Sequence, residues 1–322
     1  MDWILLGIPI GIVMLYFGSD WMVKGGKGLA LRLGVAPFII GLTVLAFGSS
    51  APECVTSIVS GDTPQIIIGN VVGSNIANIG LAIGLAAVVG PLAAKYKSMR
   101  FELIVMMLAA VLLTIMAMTG FIGFFEGLVL VSLLFMFVFA VYRLKKDDEE
   151  GQEAYCSEVV EDDGPSFMKK TPFLIFLVVV GLVLLYFGAR FFIDGAKVLA
   201  EMVGVSDMLI GLIVVAIGTS LPELCISVMA AYRGEADLAV SNIVGSNIFN
   251  VFFVLGIGAL LTDVPIVDSM MTFHLPVMLI FSAVMFLMIR SKNKINRPMG
   301  ALLVVMYAVY IAIMVFIPSL TI

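Results

Sequence analysis

The chain has 322 residues, 61% of them hydrophobic and only 13% charged, where soluble chains carry about 25% charged residues. That excludes an ordinary soluble enzyme and leaves room, at roughly 20 apolar residues per crossing, for about ten membrane spans and little else. The net charge is -5, but nine of the 23 acidic residues lie between Asp147 and Asp163, so the acidity belongs to one segment and not to a binding face.

The first apolar stretch runs from about Trp3 to Val23 and can continue as helix through Lys24-Gly25-Gly26-Lys27 to Leu33. No basic segment precedes it, so a cleaved signal peptide is not expected. Pro37 to Ser60 follows, interrupted by Gly48-Ser49-Ser50-Ala51-Pro52-Glu53, then Ile66 to Val89, Leu103 to Thr119 and Gly123 to Tyr142. Beyond the polar segment Arg143–Lys170 come Phe173 to Leu199, Met208 to Tyr232, Leu238 to Leu261, Phe273 to Ile289 and Gly300 to Ile317. Of 18 Lys and Arg, only Arg190 and Lys197 fall outside one alternate set of loops. By the positive-inside rule those loops are cytoplasmic and both termini lie outside. The expectation is an all-α polytopic protein of the cell (inner) membrane with ten transmembrane helices.

The sequence repeats itself. Phe17-Gly18 and Gly25-x-Lys27-x-Leu29-Ala30 return as Phe187-Gly188 and Gly195-x-Lys197-x-Leu199-Ala200. At the same offset Gly41-Leu-x-Val-x-Ala46-x-Gly48-x-Ser50-x-Pro52-Glu53 returns as Gly211 to Glu223. Asn70-x-Val-Gly-Ser74-Asn75-Ile-x-Asn78 returns, at a slightly longer offset, as Asn242 to Asn250. The chain therefore divides into a first five-helix repeat (1–144), an acidic cytoplasmic loop (145–171) and a second five-helix repeat (172–322). An odd number of spans per half inverts the second half, an arrangement typical of secondary transporters whose sites lie near the bilayer midplane where interrupted helices meet.

Glu53 and Glu223 carry the chemistry. Each stands inside an apolar span, where a carboxylate costs at least about 2.5–3.5 kcal/mol, and no intramembrane base sits at a matching position. A cation is the natural partner. Around the two acids stand the hydroxyls of Ser49, Ser50, Ser74, Thr219, Ser220 and Ser246 and the amides of Asn75, Asn78, Asn247 and Asn250. Gly and Pro beside the acids should also free backbone carbonyls such as those of Ala46 and Ala216. Hard ions take oxygen ligands, calcium six to eight of them, whereas soft-metal sites would show Cys or His. Cys54, Cys156 and Cys225 cannot all pair and fit no zinc spacing, and Cys54 and Cys225 read as small apolar fillers.

Gly-Ser-Ser-Ala-Pro-Glu (48–53) and Gly-Thr-Ser-Leu-Pro-Glu (218–223), each followed by Gly-Ser-Asn-Ile, resemble the α-repeats of the sodium/calcium exchanger family of cation/calcium antiporters. The resemblance covers nearly the whole chain. It implies a four-helix site in which Glu53 and Glu223 are shared by Ca2+ and Na+, completed by Ser50, Ser74, Ser220, Ser246, Thr219 and backbone oxygens near Ala46 and Ala216. Two departures stand out. The resemblance is to prokaryotic-type members; some archaeal exchangers and potassium-dependent relatives carry Asp where this chain has Asn250, which makes it potassium-independent-like, and Ser241 replaces the Gly that usually precedes Asn242.

The expected function is Na+/Ca2+ exchange by alternating access, with Ca2+ and Na+ as substrates and the lipid bilayer as surroundings. No cofactor, enzyme activity, nucleic acid or obligate protein partner is expected. The alternative is a proton/calcium antiporter, since buried glutamates can trade calcium for protons. A channel fits inverted repeats less well, and a hydrolase would need the single histidine, His274, beside Ser50 or Ser220, although it opens the ninth span near the outer surface. The acidic run lacks the EF-hand spacing and reads as a solvated linker.

Overall fold

The computed structural model describes residues 2–50, 64–146, 170–202, 218, 220–317 and 320. After a turn of helix at Asp2–Leu5, the main helices in chain order are α1 (Gly7–Leu33), α2 (Pro37–Ser50), α3 (Gln65–Val89), α4 (Tyr96–Ala117), α5 (Phe124–Lys146), α6 (Thr171–Met202), α7 (Leu221–Tyr232), α8 (Ala236–Leu261), α9 (Met270–Lys292) and α10 (Arg297–Phe316). Seven of them, α3 to α6 and α8 to α10, are long and apolar enough to cross a membrane. Over the described residues α2 and α7 are shorter, and the 27-residue α1 carries Asp20, Lys24 and Lys27 along its length. Among the described residues, length and composition of the helices alone thus mark seven spans, against the ten that the sequence suggests. Other boundaries differ too. The charged turn Tyr96-Lys97-Ser98-Met99-Arg100 is already helical, so α4 starts well before Leu103.

The core is built around α3 and α8. Of their apolar windows 78% and 83% is buried, against 28–44% for the other long helices. Both change pitch at the same place in the repeat, with π-helical segments at Asn78–Ile83 and Asn250–Leu255. A third π segment, Gly41–Leu45, precedes Ala46 in α2. Such segments widen the backbone ladder and recur at functional sites. The halves interlock: α2 packs on α8, and α7 on both α8 and α3. Short strands join them again. Leu92–Ala93 (β1) pairs antiparallel with Lys294–Ile295 (β4), and Phe121–Ile122 (β2) with Val264–Pro265 (β3). Beside the first pair Asn293, left-handed at φ 51°, accepts the Tyr96 N–H at 2.8 Å with its side chain, a conformation Asn tolerates better than most residues.

Outside this core α1 lies along α6. Gly11 faces Gly188 and Gly18 faces Gly181, while Gly25 and Gly195, one heptad further along each helix, meet Val178 and Ile8. A Cβ on Gly11 would stand 2.7 Å from the Gly188 carbonyl oxygen, and one on Gly18 2.9 Å from that of Gly181. Small residues let membrane helices approach this closely, and the heptad period keeps them on one seam. From its middle towards its C-terminal end α1 is also tied to the α7–α8 turn. Buried Asp20 bridges Lys24 at 2.8 Å and Arg233, while Lys27 bridges Glu235. Asp20 thus has two cations, one from its own helix and one from the core.

Candidate ion-binding site

Proline at the second position of α7 suits a helix start and sets Glu223 in its first turn. The carboxylate is 1% exposed. Ser50, at the end of α2 in the other half, donates to Glu223 Oε1 at 3.5 Å. That contact joins the two repeats at the acid. Glu223 Oε2 has no hydrogen-bond partner among the described residues, and neither have Ser220 Oγ and Ser246 Oγ. All three oxygens are buried, and no Lys or Arg is paired with Glu223 among the described residues. Buried polar atoms are nearly always satisfied, so a carboxylate oxygen and two hydroxyl oxygens left open in the core suit a cation.

Ser49 and Ser50 are both 1% exposed, and Ser49 donates to the Ala46 carbonyl at 3.3 Å. Ala46 is fully buried and directly follows the π segment of α2. Ser74 is buried on α3 and donates to Asn70 Oδ1 at 3.4 Å. The structure therefore brings Glu223, Ser220, Ser246, Ser49, Ser50, Ser74 and Ala46 into the interlocked core. Glu53, Ala216 and Thr219 lie outside the described residues, as do Cys54, Cys156 and the acidic run.

The four asparagines form a reciprocal cross-brace between α3 and α8. Asn78 donates to Asn247 Oδ1 at 3.0 Å and Asn250 to Asn75 Oδ1 at 3.1 Å; Asn75 and Asn247 donate to each other's main-chain oxygens at 3.3 and 3.4 Å. The arrangement consumes the amide nitrogens and leaves Asn78 Oδ1 and Asn250 Oδ1 without partners among the described residues. Asn75 and Asn247 thus orient the amides of the other two.

Sequence reasoning missed the support behind the acid. Asn242 donates to the Glu223 carbonyl at 3.5 Å and to Ser227 Oγ at 3.2 Å, and Ser227 donates to the Ala239 carbonyl at 3.4 Å. The signal was present, because Ser57 and Ser227 stand at the same offset as Glu53 and Glu223. His274 is fully buried within the protein. Its Nε2 lies 2.6 Å from the Leu320 carbonyl and Nδ1 2.9 Å from the Tyr310 hydroxyl. A carbonyl only accepts, so Nε2 carries the proton, and neither nitrogen serves a serine. Cys225 is free and packs against the core, as a filler would.

Comparison with known proteins places the chain in a family. The family model for the sodium/calcium exchanger protein matches residues 3–143 and 173–316. An uncharacterized membrane protein of Methanocaldococcus jannaschii is 33% identical over 96% of this chain and 98% of its own. A sodium/calcium exchanger of Methanosarcina acetivorans, MaX1, is 31% identical over 96% and 97%. A solved structure of the sodium-calcium exchanger NCX_Mj, soaked with 10 mM Na+ and 10 mM Sr2+, superposes with a TM-score of 0.82 at 32% identity, covering 97% of this chain and 99% of that one.

Proposed function

The chain belongs to the sodium/calcium exchanger protein family, and from that premise we propose that it exchanges Na+ for Ca2+ through one shared site at mid-membrane. The observation that carries the reading is the buried Glu223 carboxylate, met by Ser50 of the other half, with one carboxylate oxygen and the buried hydroxyls of Ser220 and Ser246 left unsatisfied among the described residues. Glu53, its repeat counterpart, supplies the second negative charge, and Ser74, Ser49, Thr219, Asn78, Asn250 and the carbonyls of Ala46 and Ala216 complete the oxygen set. One Ca2+ neutralises two carboxylates. Several Na+ compete for the same oxygens, so the site never changes sides as a bare dianion.

The membrane arrangement behind this is ten spans in two inverted five-helix repeats, with the termini outside and the central loop cytoplasmic. The reciprocal strand pairs and the paired π segments of α3 and α8 support it. Access alternates as α1 and α6 slide together over the core. Their glycine seam holds them as a pair, and the Asp20–Arg233 and Lys27–Glu235 bridges hold the Arg233 end of α1 closed. By the charge rule that end is cytoplasmic.

The test is Ca2+ uptake into vesicles driven either by an imposed Na+ gradient or by a pH gradient, for the wild type and for Glu53→Gln and Glu223→Gln. Uptake on the Na+ gradient, lost in both variants, is the expected result. Uptake on the pH gradient alone makes the protein a proton/calcium antiporter. Wild-type flux from either variant removes the shared site.

A further inference from the structure

Four glycines on the α1–α6 seam set the depth of both helices in the bilayer. Gly11 lies against Gly188 and Gly18 against Gly181. In the repeat the partners are exchanged, Gly11 matching Gly181 and Gly18 matching Gly188. The axis relating the halves therefore crosses the seam midway between these contacts, beside Leu15 and Leu185, and in an inverted repeat that axis lies at the midplane. At the helical rise per residue, Phe191 stands about 10 Å outward along α6, Asp194 about 14 Å, Lys197 about 19 Å and Glu201 about 25 Å. Hydrocarbon ends about 15 Å from the midplane and the headgroup layer about 20–22 Å from it. This stretch of α6 thus leaves the acyl chains and crosses the outer headgroups.

A groove of about 610 Å³ opens at that depth. Ile4, Gly7 and Ile10 line one wall, and Phe191, Val198 and three charged residues of α6 line the other. The charges alternate in sign on one helical face: Asp194, Lys197 and Glu201, three and four residues apart. Both carboxylates are exposed and Lys197 is half-buried. Such spacings bring opposite charges together on a helix, yet no ion pair joins these three among the described residues. Their charges are left for something outside the helix. Towards the midplane the groove ends in Ile10 and Phe191, both exposed and apolar.

A base between two acids, set at headgroup depth above an apolar end, is complementary to a zwitterion with a hydrocarbon tail. We propose that the outer α1–α6 groove binds a phospholipid whose headgroup carries a primary amine, its phosphate on Lys197, its ammonium met by Asp194 and Glu201, and an acyl chain along Ile10 and Phe191. A primary ammonium has N–H donors for carboxylates, and such charge-assisted bonds are the strong ones. A quaternary choline has none to give. An anionic headgroup offers the two acids no cation. The placement rests on the inverted membrane arrangement given above. All the lining residues belong to α1, α6 and the turn before α1, so the lipid rides with the sliding pair.

The experiment is native mass spectrometry of the full chain in detergent, titrated with phosphatidylethanolamine, phosphatidylcholine and phosphatidylglycerol of the same acyl chains. One phosphatidylethanolamine retained per chain, roughly tenfold more tightly than either other lipid, is expected. Asp194→Asn combined with Glu201→Gln, two exposed changes that leave the fold alone, removes the preference over phosphatidylcholine. Lys197→Gln weakens phosphatidylethanolamine and phosphatidylcholine alike, because both carry the phosphate. Val198→Trp fills the groove and removes the bound lipid, with thermal unfolding checked to show that the variant is folded. Equal retention of the three lipids, phosphatidylglycerol ahead of phosphatidylethanolamine, an undiminished preference in the double variant, or undiminished binding in folded Val198→Trp overturns the proposal. No ion flux is measured, so such a failure leaves the exchange reading standing, and a failed exchange assay leaves the lipid site standing.

Discussion

Gly245 stands where α8 crosses α2, and adding a single methyl there tests whether the two halves share one site. A Cβ built on Gly245 lies 2.6 Å from the Leu42 carbonyl oxygen and 2.7 Å from Ala46 Cβ. Ordinary contact begins at 3.4 Å. No rotamer change relieves a clash with backbone, so Gly245→Ala must push the helices apart by about 0.8 Å, at an overpacking cost of about 1–3 kcal/mol. Ca2+ ligand distances span only about 2.3–2.6 Å, so this displacement parts Ala46 and Ser50 on α2 from Ser246 on α8 by more than coordination tolerates. A loss of about 1.4 kcal/mol in binding is a tenfold weaker affinity, and at least that is expected. Gly300 provides the matched control. Its Cβ would lie 2.6 Å from the Gly84 carbonyl oxygen and 2.7 Å from Ala87 Cβ, at the α10–α3 contact. Calorimetry of Ca2+ binding and thermal unfolding should show both alanine variants destabilised but only Gly245→Ala binding weakly. Wild-type affinity in Gly245→Ala, or an equal loss in both, refutes the shared-site geometry.

The ion pairs at the end of α1 predict a shift in which side of the protein is open. Asp20→Asn weakens two bridges whose cations are 50% and 34% exposed, so the screened loss is about 1 kcal/mol. Accessibility of a cysteine placed at buried Leu29 should rise about fivefold, and unchanged labelling counts against the latch. Ser241 and Gly41 should behave as a matched pair, because a Cβ on Gly41 would overlap Ser241 Oγ. Gly41→Ala forces that hydroxyl off its bond to the Leu238 carbonyl and should lower stability by about 1–2 kcal/mol. Adding Ser241→Gly should restore most of the loss in thermal unfolding, and strictly additive effects would count against this packing.

The Ser241 departure thus has a physical answer. The hydroxymethyl group occupies space that Gly41 leaves free, so the substitution is absorbed across the α2–α8 contact instead of displacing Asn242. No periodicity argument could show this, because the two residues belong to opposite halves of the chain. The asparagine network was legible only as composition. Four amides recur at fixed spacing, yet which nitrogen donates to which oxygen depends on the register of α3 against α8. His274 reads from the sequence only as the start of a span, and the fold adds its partners, the Tyr310 hydroxyl and the Leu320 carbonyl. The charged Asp20, Lys24 and Lys27 look like a helix end in sequence, but the α7–α8 turn supplies the partners that keep α1 helical through them.

What the sequence determined by itself is whatever local composition and repetition encode: the membrane class, the duplicated motifs, and the acids, hydroxyls and amides within them. Those follow from the cost of polar groups in hydrocarbon, which forbids Glu, Ser and Asn at such positions without a reason. Tertiary structure decided which copies touch. Ser50 reaches Glu223 across the repeat boundary, the amides lock in one direction, and α1 is fastened to a turn in the opposite half of the chain. These choices arise from the close approach of helices at glycine contacts, a property of two surfaces that neither segment carries alone.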